Sequence, residues 1–366
     1  MIKIMTIFGT RPEAIKMAPL IRCIEKDQRF KSIVTITAQH RQMLDQVLTF
    51  FGIKPDYDLN IMKDGQTLMD ITSRVLKELN FAIEESKPDI ILVHGDTSTT
   101  FAASLAGYYH QIKIGHVEAG LRTWNKYSPF PEEMNRQLTD VLSDLYFAPT
   151  EQSKENLIKE NHPEEKIYIT GNTAIDAMKY TVDNEYSSPL LEELRDKKII
   201  LVTMHRRENI GKPMENVFRA INKLVEEYDD ISILFPMHKN PEVRKLVKKT
   251  LINSEQVKLI EPLNVVDFHN LASRSYLILS DSGGVQEEAP SLGIPVLVLR
   301  DTTERPEGVK AGTLKLIGTR ESDVYNQVSK LINNRKQYEI MASSSNPYGD
   351  GRASEKILEA IAQEFA

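Results

Sequence analysis

The chain carries a single cysteine, Cys23, among 366 residues. No intrachain disulfide can form and no cluster of thiolate metal ligands is available, so a reducing cytoplasm is the expected compartment. Long apolar runs are missing as well: no stretch approaches the roughly 18 to 20 residues that a bilayer-spanning helix needs. Residues 1–8 are too short a run, too soon followed by Arg11 and Glu13, to read as a signal peptide. No membrane role is expected. Basic clusters are lacking too, and with a formal net charge of -6 the chain offers no footprint for nucleic acid. No G-x-G-x-x-G follows the first apolar run, which argues against a nicotinamide or flavin cofactor, and no G-x-S-x-G elbow marks a serine hydrolase. His116, Glu118 and Asp96 are the nearest approach to a metal set, and their spacing matches no standard zinc pattern.

Hydrophobic residues make up 41% and charged residues 27%, values that permit a packed core and leave no compositional case for disorder. At about 150 residues per domain, two domains are expected. Short apolar, β-branched runs alternate with helix-period segments throughout, the pattern of parallel sheets covered on both faces. Strands are expected at 3–8, 33–37, 90–94, 112–117, 145–148 and 167–170, then at 199–204, 231–236, 257–260, 276–279, 296–299 and 314–317. Between the two series lies TVDNEYSSPLLEELRDKK, a polar stretch with a Ser-Ser-Pro break. The reading is an α/β chain with a first doubly wound domain over 1–178, joined by the C-terminal helix at 353–366, and a second over 179–352.

Sheets of this kind bind ligands beyond the carboxyl ends of their strands, and polar residues recur there. The first series ends its strands in FGTRPEAIK with Arg11 and Lys16, in AQHRQ with Gln39, His40 and Gln42, in HGDTSTT with Asp96, and in GHVEAGLRT with Glu118. PFPEEMNR, with Glu132, follows. The second series ends in TMHRREN with His205 and Arg206, in PMHKNPE with His238, and in SDSGGVQEEAPSLGIP with Ser282, Gly283, Gly284, Glu287 and Glu288. Paired glycines at a helix start let backbone N–H groups approach an anion, and a glutamate one turn on could accept from two ribose hydroxyls. The first rim is thus carboxylate-bearing and the second cationic. Singly, each cluster has a plain structural reading: an N-cap series after Asp96, a rigid acidic loop for PFPEE, a solvated pair for Arg206 and Arg207, and structural or surface roles for His94, His110 and His269.

Together, FGTRPEAIKMAPL, TAQHRQMLDQVL, VHGDTSTT, HVEAGLRT, PFPEEMNR, TGNTAID, TMHRREN and SDSGGVQEEAPSLGIPVLVLR resemble the non-hydrolysing bacterial UDP-N-acetylglucosamine 2-epimerases over almost the whole chain. The resemblance implies a glycosyltransferase B-type fold, two Rossmann-like domains facing across a cleft. It implies reversible inversion at C2 of UDP-GlcNAc to UDP-ManNAc by elimination and re-addition of UDP through 2-acetamidoglucal, with no cofactor and no metal, supplying ManNAc for cell-surface polysaccharide. Asp96, Glu118, Glu132 and His205 match the catalytic positions; Arg11, Lys16, Ser282, Gly283, Gly284 and Glu288 match nucleotide contacts, the glycine loop taking the diphosphate. A second UDP-GlcNAc acting as allosteric activator is implied at Gln39, His40, Gln42, Glu132, Arg206 and His238, although Gly65 stands where some members carry arginine. A homodimer is also implied. A glycosyltransferase of the same fold is the alternative; a silent nucleotide-sugar sensor and a hydrolysing relative that releases ManNAc rank behind it.

Overall fold

A computed structural model describes residues 1–366 except 39, 40, 64, 253 and 304, and except the side chains of 42 and 43. The chain divides into two compact units, Met1–Ala177 with Tyr348–Ala366, and Met178–Pro347. It re-enters the first unit at Tyr348, ahead of the expected 353, because Tyr348 is buried and its carbonyl accepts the Asn172 N–H at 2.7 Å.

The first unit is built on a parallel sheet of β1 (Ile2–Phe8), β2 (Phe30–Ile36), β3 (Tyr57–Asp58), β4 (Ile90–His94), β5 (Lys113–Val117), β6 (Leu145–Ala148) and β7 (Ile167–Ile169), in the order β3-β2-β1-β4-β5-β6-β7. The second holds β8 (Lys198–Thr203), β9 (Ile231–Pro236), β10 (Val257–Ile260), β11 (Leu277–Ser280), β12 (Val296–Val298) and β13 (Leu314–Leu316), also parallel, in the order β10-β9-β8-β11-β12-β13. Both are α/β and doubly wound, with helices between successive strands. The order reverses between β1 and β4 and again between β8 and β11, and in such sheets the reversal opens the ligand crevice at the strands' carboxyl ends.

Burial explains why the strands read as continuous apolar runs. Side chains alternate across a sheet, and each face has its own core. Ile4, Phe8, Ile90 and Leu92 enter one core while Met5, Ile7, Ile91 and Val93 enter the other. In the second unit Ile200, Val202 and Leu279 face one side, and Ile199, Leu201 and Ile278 the opposite one. The C-terminal helix Ala353–Glu364 drives Ile357 and Ile361 into the first core beside Ile21 and Ile24. β3 escapes the sequence reading: two residues, one of them an aspartate, carry no periodic signal.

Charge is also buried beneath the first rim. His116 presents Nδ1 to Asp140 Oδ1 at 2.6 Å and Nε2 to the Gly95 carbonyl at 2.7 Å. Arg122 Nη2 reaches Asp140 and Glu160 at 2.5 Å each. Burial alone pushes the Asp140 carboxyl up, but His116 and Arg122 outweigh it and hold the group below the ordinary carboxylate range. This cluster fastens the exits of β4 and β5, and His116 and Arg122 are spent on it. Removing one member of a buried charge set leaves the others uncompensated, so Asp140→Ala is expected to destabilise the first unit by about 3–5 kcal/mol. Urea unfolding at neutral pH measures this; a loss under about 1 kcal/mol refutes the assignment.

Candidate functional site

At the end of β1 the chain turns through Gly9 and Thr10 into the helix Arg11–Lys26. A Cβ on Gly9 would stand 2.0 Å from Thr37 Oγ1, so only glycine fits where this turn crosses the end of β2. Thr10 caps the helix and Glu13 closes a reciprocal capping box. Glu13, itself buried, does more than cap: Oε2 accepts the N–H groups of Gly9 at 3.1 Å and Thr10 at 2.8 Å, and Oε1 accepts the hydroxyls of Thr97 at 2.7 Å and Thr100 at 3.2 Å. The turn's amides are therefore committed to the protein's own carboxylate. What it offers an anion is side-chain charge, from half-buried Arg11 and from Lys16 one turn on.

Across the sheet reversal, β4 ends at His94, and Gly95 and Asp96 follow it. Asp96 Oδ2 takes a 2.6 Å hydrogen bond from Arg136 Nη2, and its carbonyl accepts from Asn135 Nδ2 at 2.9 Å. Both partners lie on the helix Glu132–Leu142, so PFPEEMNR is what positions Asp96. Glu133 is fully buried and holds the N–H groups of Thr123 and Trp124, whereas Glu132, at the start of the same helix, is half-buried. Burial pushes the Asp96 carboxyl up, and the nearby charges of Glu118 and Glu132 add to the rise against the opposing pull of Arg136.

Glu118, just past β5, has φ +71, a left-handed backbone that a glutamate adopts only when its surroundings impose it. Three groups converge on its Oε2: Lys16 Nζ in an ion pair, Asn172 Nδ2 at 2.9 Å, and His94 Nε2 at 3.6 Å. His94 is 3% exposed, and neither ring nitrogen has a hydrogen-bond partner among the described residues. Burial would raise the Glu118 carboxyl, but Lys16 and His94 overcome it and hold the group well below the usual carboxylate range.

The second unit repeats the plan with other chemistry. Asp281, fully buried after β11, accepts from the N–H groups of His205 at 3.1 Å and Arg206 at 3.0 Å and from Asn209 Nδ2 at 3.0 Å. The His205 ring turns Nδ1 toward Asp281 Oδ1 at 3.4 Å and stacks on His238 with 5.9 Å between centroids. A carboxylate behind Nδ1 fixes an imidazole's orientation and leaves Nε2 outward. Desolvation pushes the His205 ring below its ordinary value.

Ser282, Gly283 and Gly284 open the short helix Gly283–Glu288. A Cβ on Gly283 would lie 2.9 Å from the Arg305 guanidinium, so the glycine admits that cation to the loop. Arg305 is held in turn by Glu287, at 2.8 Å. The two adjacent glutamates therefore part company: Glu287 is consumed by Arg305, while Glu288 keeps Oε1 toward Gly284 and meets His269 Nε2 through Oε2 at 3.3 Å.

The first unit thus gathers Lys16, Asp96, Glu118 and Glu132 at one rim, with Arg11 at the adjoining turn. The second gathers His205, Arg206, His238, Ser282, Gly283, Gly284 and Glu288. Gln39, His40 and the side chain of Gln42 lie outside the described residues. Gly65 adopts φ +67, a conformation that disfavours an arginine there. Of the histidines read as structural or surface residues, His94 is buried against Glu118 and His269 against Glu288, while half-buried His110 bonds Asn80 at 3.0 Å. Glu13, Asn172, Asp281 and Arg305 were not singled out from the sequence. Position after a strand end would have flagged Asp281; Glu13 looks like any capping residue. Among the described residues no three His, Cys, Asp or Glu side chains are grouped to hold a metal ion.

A family model for UDP-N-acetylglucosamine 2-epimerase matches residues 22–362. The Bacillus subtilis protein named UDP-N-acetylglucosamine 2-epimerase is 60% identical over 98% of this chain and 95% of its own, and that of Escherichia coli K12 is 52% identical over 98% of each. Among solved structures, the S. aureus MnaA–UDP co-structure has a TM-score of 0.89 at 59% identity, covering 100% of this chain and 97% of that one. The Neisseria meningitidis UDP-GlcNAc 2-epimerase bound to UDP-GlcNAc also has a TM-score of 0.89, at 51% identity over 99% of this chain and 100% of that one. With its two doubly wound units, its motifs in order and its match along nearly the full length, the chain belongs to the UDP-N-acetylglucosamine 2-epimerase family.

Proposed function

We propose that the chain interconverts UDP-GlcNAc and UDP-ManNAc by eliminating UDP to 2-acetamidoglucal and adding it back at C1 while the proton returns to the opposite face of C2. One observation carries this reading. Asp96 and Glu118 share a rim, yet their surroundings drive them apart, Asp96 upward by burial and Glu118 downward by Lys16 and His94. Carboxyl groups pushed apart in this way suit opposite proton roles, one accepting while the other donates, and inversion at a carbon needs both.

In the forward direction one carboxylate takes the C2 proton as the C1–O bond breaks. The electron pair forms the C1=C2 bond and UDP departs. On return the phosphate oxygen reattaches to C1 and the other carboxyl gives C2 its proton. No carbonyl acidifies that C–H, so proton removal has to be coupled to loss of the diphosphate from C1. A positioned base supplies about 10² to 10⁴ in rate, well below the roughly 10⁶ or more that enzymes reach; positioning and cationic stabilisation of the leaving group make up the difference. Glu132 assists the second half-reaction. Arg11, Lys16 and the outward Nε2 of His205 serve the diphosphate, Ser282, Gly283 and Gly284 cradle it, and Glu288 takes the ribose. Arg206 and His238, beside His205, accept a second UDP-GlcNAc as activator. The product feeds cell-surface polysaccharide from the cytoplasm. Exposed Phe81, Tyr108, Tyr109 and Val141, on three helices packed in succession, form the apolar face of a homodimer.

Incubation with UDP-GlcNAc in deuterium oxide is expected to place deuterium at C2 of both epimers while UDP-ManNAc accumulates, read by proton NMR. Asp96→Asn and Glu118→Gln should each abolish exchange and still bind UDP. Unlabelled sugar, free ManNAc, or transfer to an acceptor as in a glycosyltransferase would overturn the reading. In Lys16→Met the Glu118 carboxyl loses its strongest cation, so its titration, followed by carboxyl carbon NMR, should move to higher pH; an unmoved midpoint would show that Lys16 does not set it. Light scattering should give twice the chain mass, and Tyr109→Glu combined with Val141→Asp should halve it.

A further inference from the structure

Beneath Glu288 lies a polar chain that the reaction does not use. His269, on the helix Val265–Ser273, is 2% exposed, too deep to meet a ligand itself. Its Nε2 faces Glu288 Oε2 at 3.3 Å and its Nδ1 faces the hydroxyl of Thr181 at 2.6 Å. Thr181 is fully buried and stands just inside the second unit, which begins at Met178. The next residue of the helix grips the same strip of chain: Asn270 donates to the Thr181 carbonyl at 2.7 Å and accepts the Asp183 N–H at 2.9 Å. Arg274 completes the hold on the Asp183 carbonyl at 2.8 Å.

A buried imidazole is costly unless both nitrogens are satisfied, and here each is satisfied by a group with a different allegiance. One is a carboxylate at the glycine loop; the other belongs to the strip by which the chain enters this unit. Engaging Oε2 also decides which oxygen of Glu288 is left for a ligand, namely Oε1 on the Gly284 side. We infer that His269 is a positioning residue that fixes the Glu288 carboxylate for the nucleotide and couples its occupancy to the order of residues 181–186. The inference rests on Glu288 as the ribose anchor. Charging Oε1 with two hydroxyl donors stiffens Glu288, and the imidazole passes that constraint to Thr181.

The test is a set of calorimetric UDP titrations on the full chain, with amide exchange of residues 181–186 measured with and without UDP. His269→Asn should weaken UDP binding about tenfold, the loss expected for one hydrogen bond to a charged group, and Thr181→Val should weaken it by a smaller factor. Glu288→Gln combined with His269→Asn should bind no more weakly than Glu288→Gln alone, because both changes remove one interaction. UDP should slow exchange at 181–186 in the unaltered protein and fail to do so in His269→Asn. If Glu288→Gln weakens UDP binding while His269→Asn leaves it within twofold, or if the two losses multiply, the coupling is refuted and the anchor stands. If Glu288→Gln itself leaves affinity unchanged, the anchor assignment fails and takes the coupling with it. Should His269→Asn melt below the assay temperature, the affinity and exchange of Thr181→Val decide, and unaltered values in that variant refute the inference.

Discussion

Oxygen Oε2 of Glu118 is where the first unit is tied together. Lys16 reaches it from the first helix, Asn172 from the exit of β7, and His94 from the end of β4. Three segments far apart in sequence thus depend on one carboxylate remaining ionised. A charge this deep survives only if its partners outweigh the cost of desolvation. That requirement explains why the backbone at Glu118 is forced into the left-handed region: the carboxylate has to point where the cation and the amide are.

The second unit applies the same device with a different outcome. Buried Asp281 spends its oxygens on the backbone of His205 and Arg206 and on Asn209, so its charge organises a loop rather than acting itself. In one unit the held carboxylate is the group proposed above to react; in the other it is the frame for an imidazole. Asp96 and His205, one at each rim, are both displaced from their ordinary titration by desolvation, the carboxyl upward and the imidazole downward. Both shifts favour the uncharged form.

Much of the fold was legible in the sequence because parallel strands covered on both faces leave no polar position to blur the run: β4 and β9 stand at the bounds read from apolar residues alone. β3 was not, since an edge pairing of two residues is decided by its neighbour β2 rather than by its own composition. At the sites, the strand-end rule located the carboxylates and the glycine loop. It could not separate Glu287 from Glu288, because adjacent glutamates look alike until Arg305 claims one of them. Nor could it rank the histidines. A lone His in an apolar run is most simply a core residue, and only the fold brings His94 to Glu118 and His269 to Glu288.

Glu13 carries one more implication. Its carboxylate satisfies the amides of Gly9 and Thr10 and the hydroxyls of Thr97 and Thr100, so the β1 turn is complete with nothing bound. A phosphate loop made of bare amides gains its order from the ligand and gives up part of its affinity to being ordered. Here the shape is set in advance by an internal anion, and what the turn leaves for an arriving anion is side-chain charge. Such a surface can release its guest as readily as it takes it. The reversible chemistry proposed above, in which the same group leaves and returns, would be better served by a landing place that does not need its guest in order to exist.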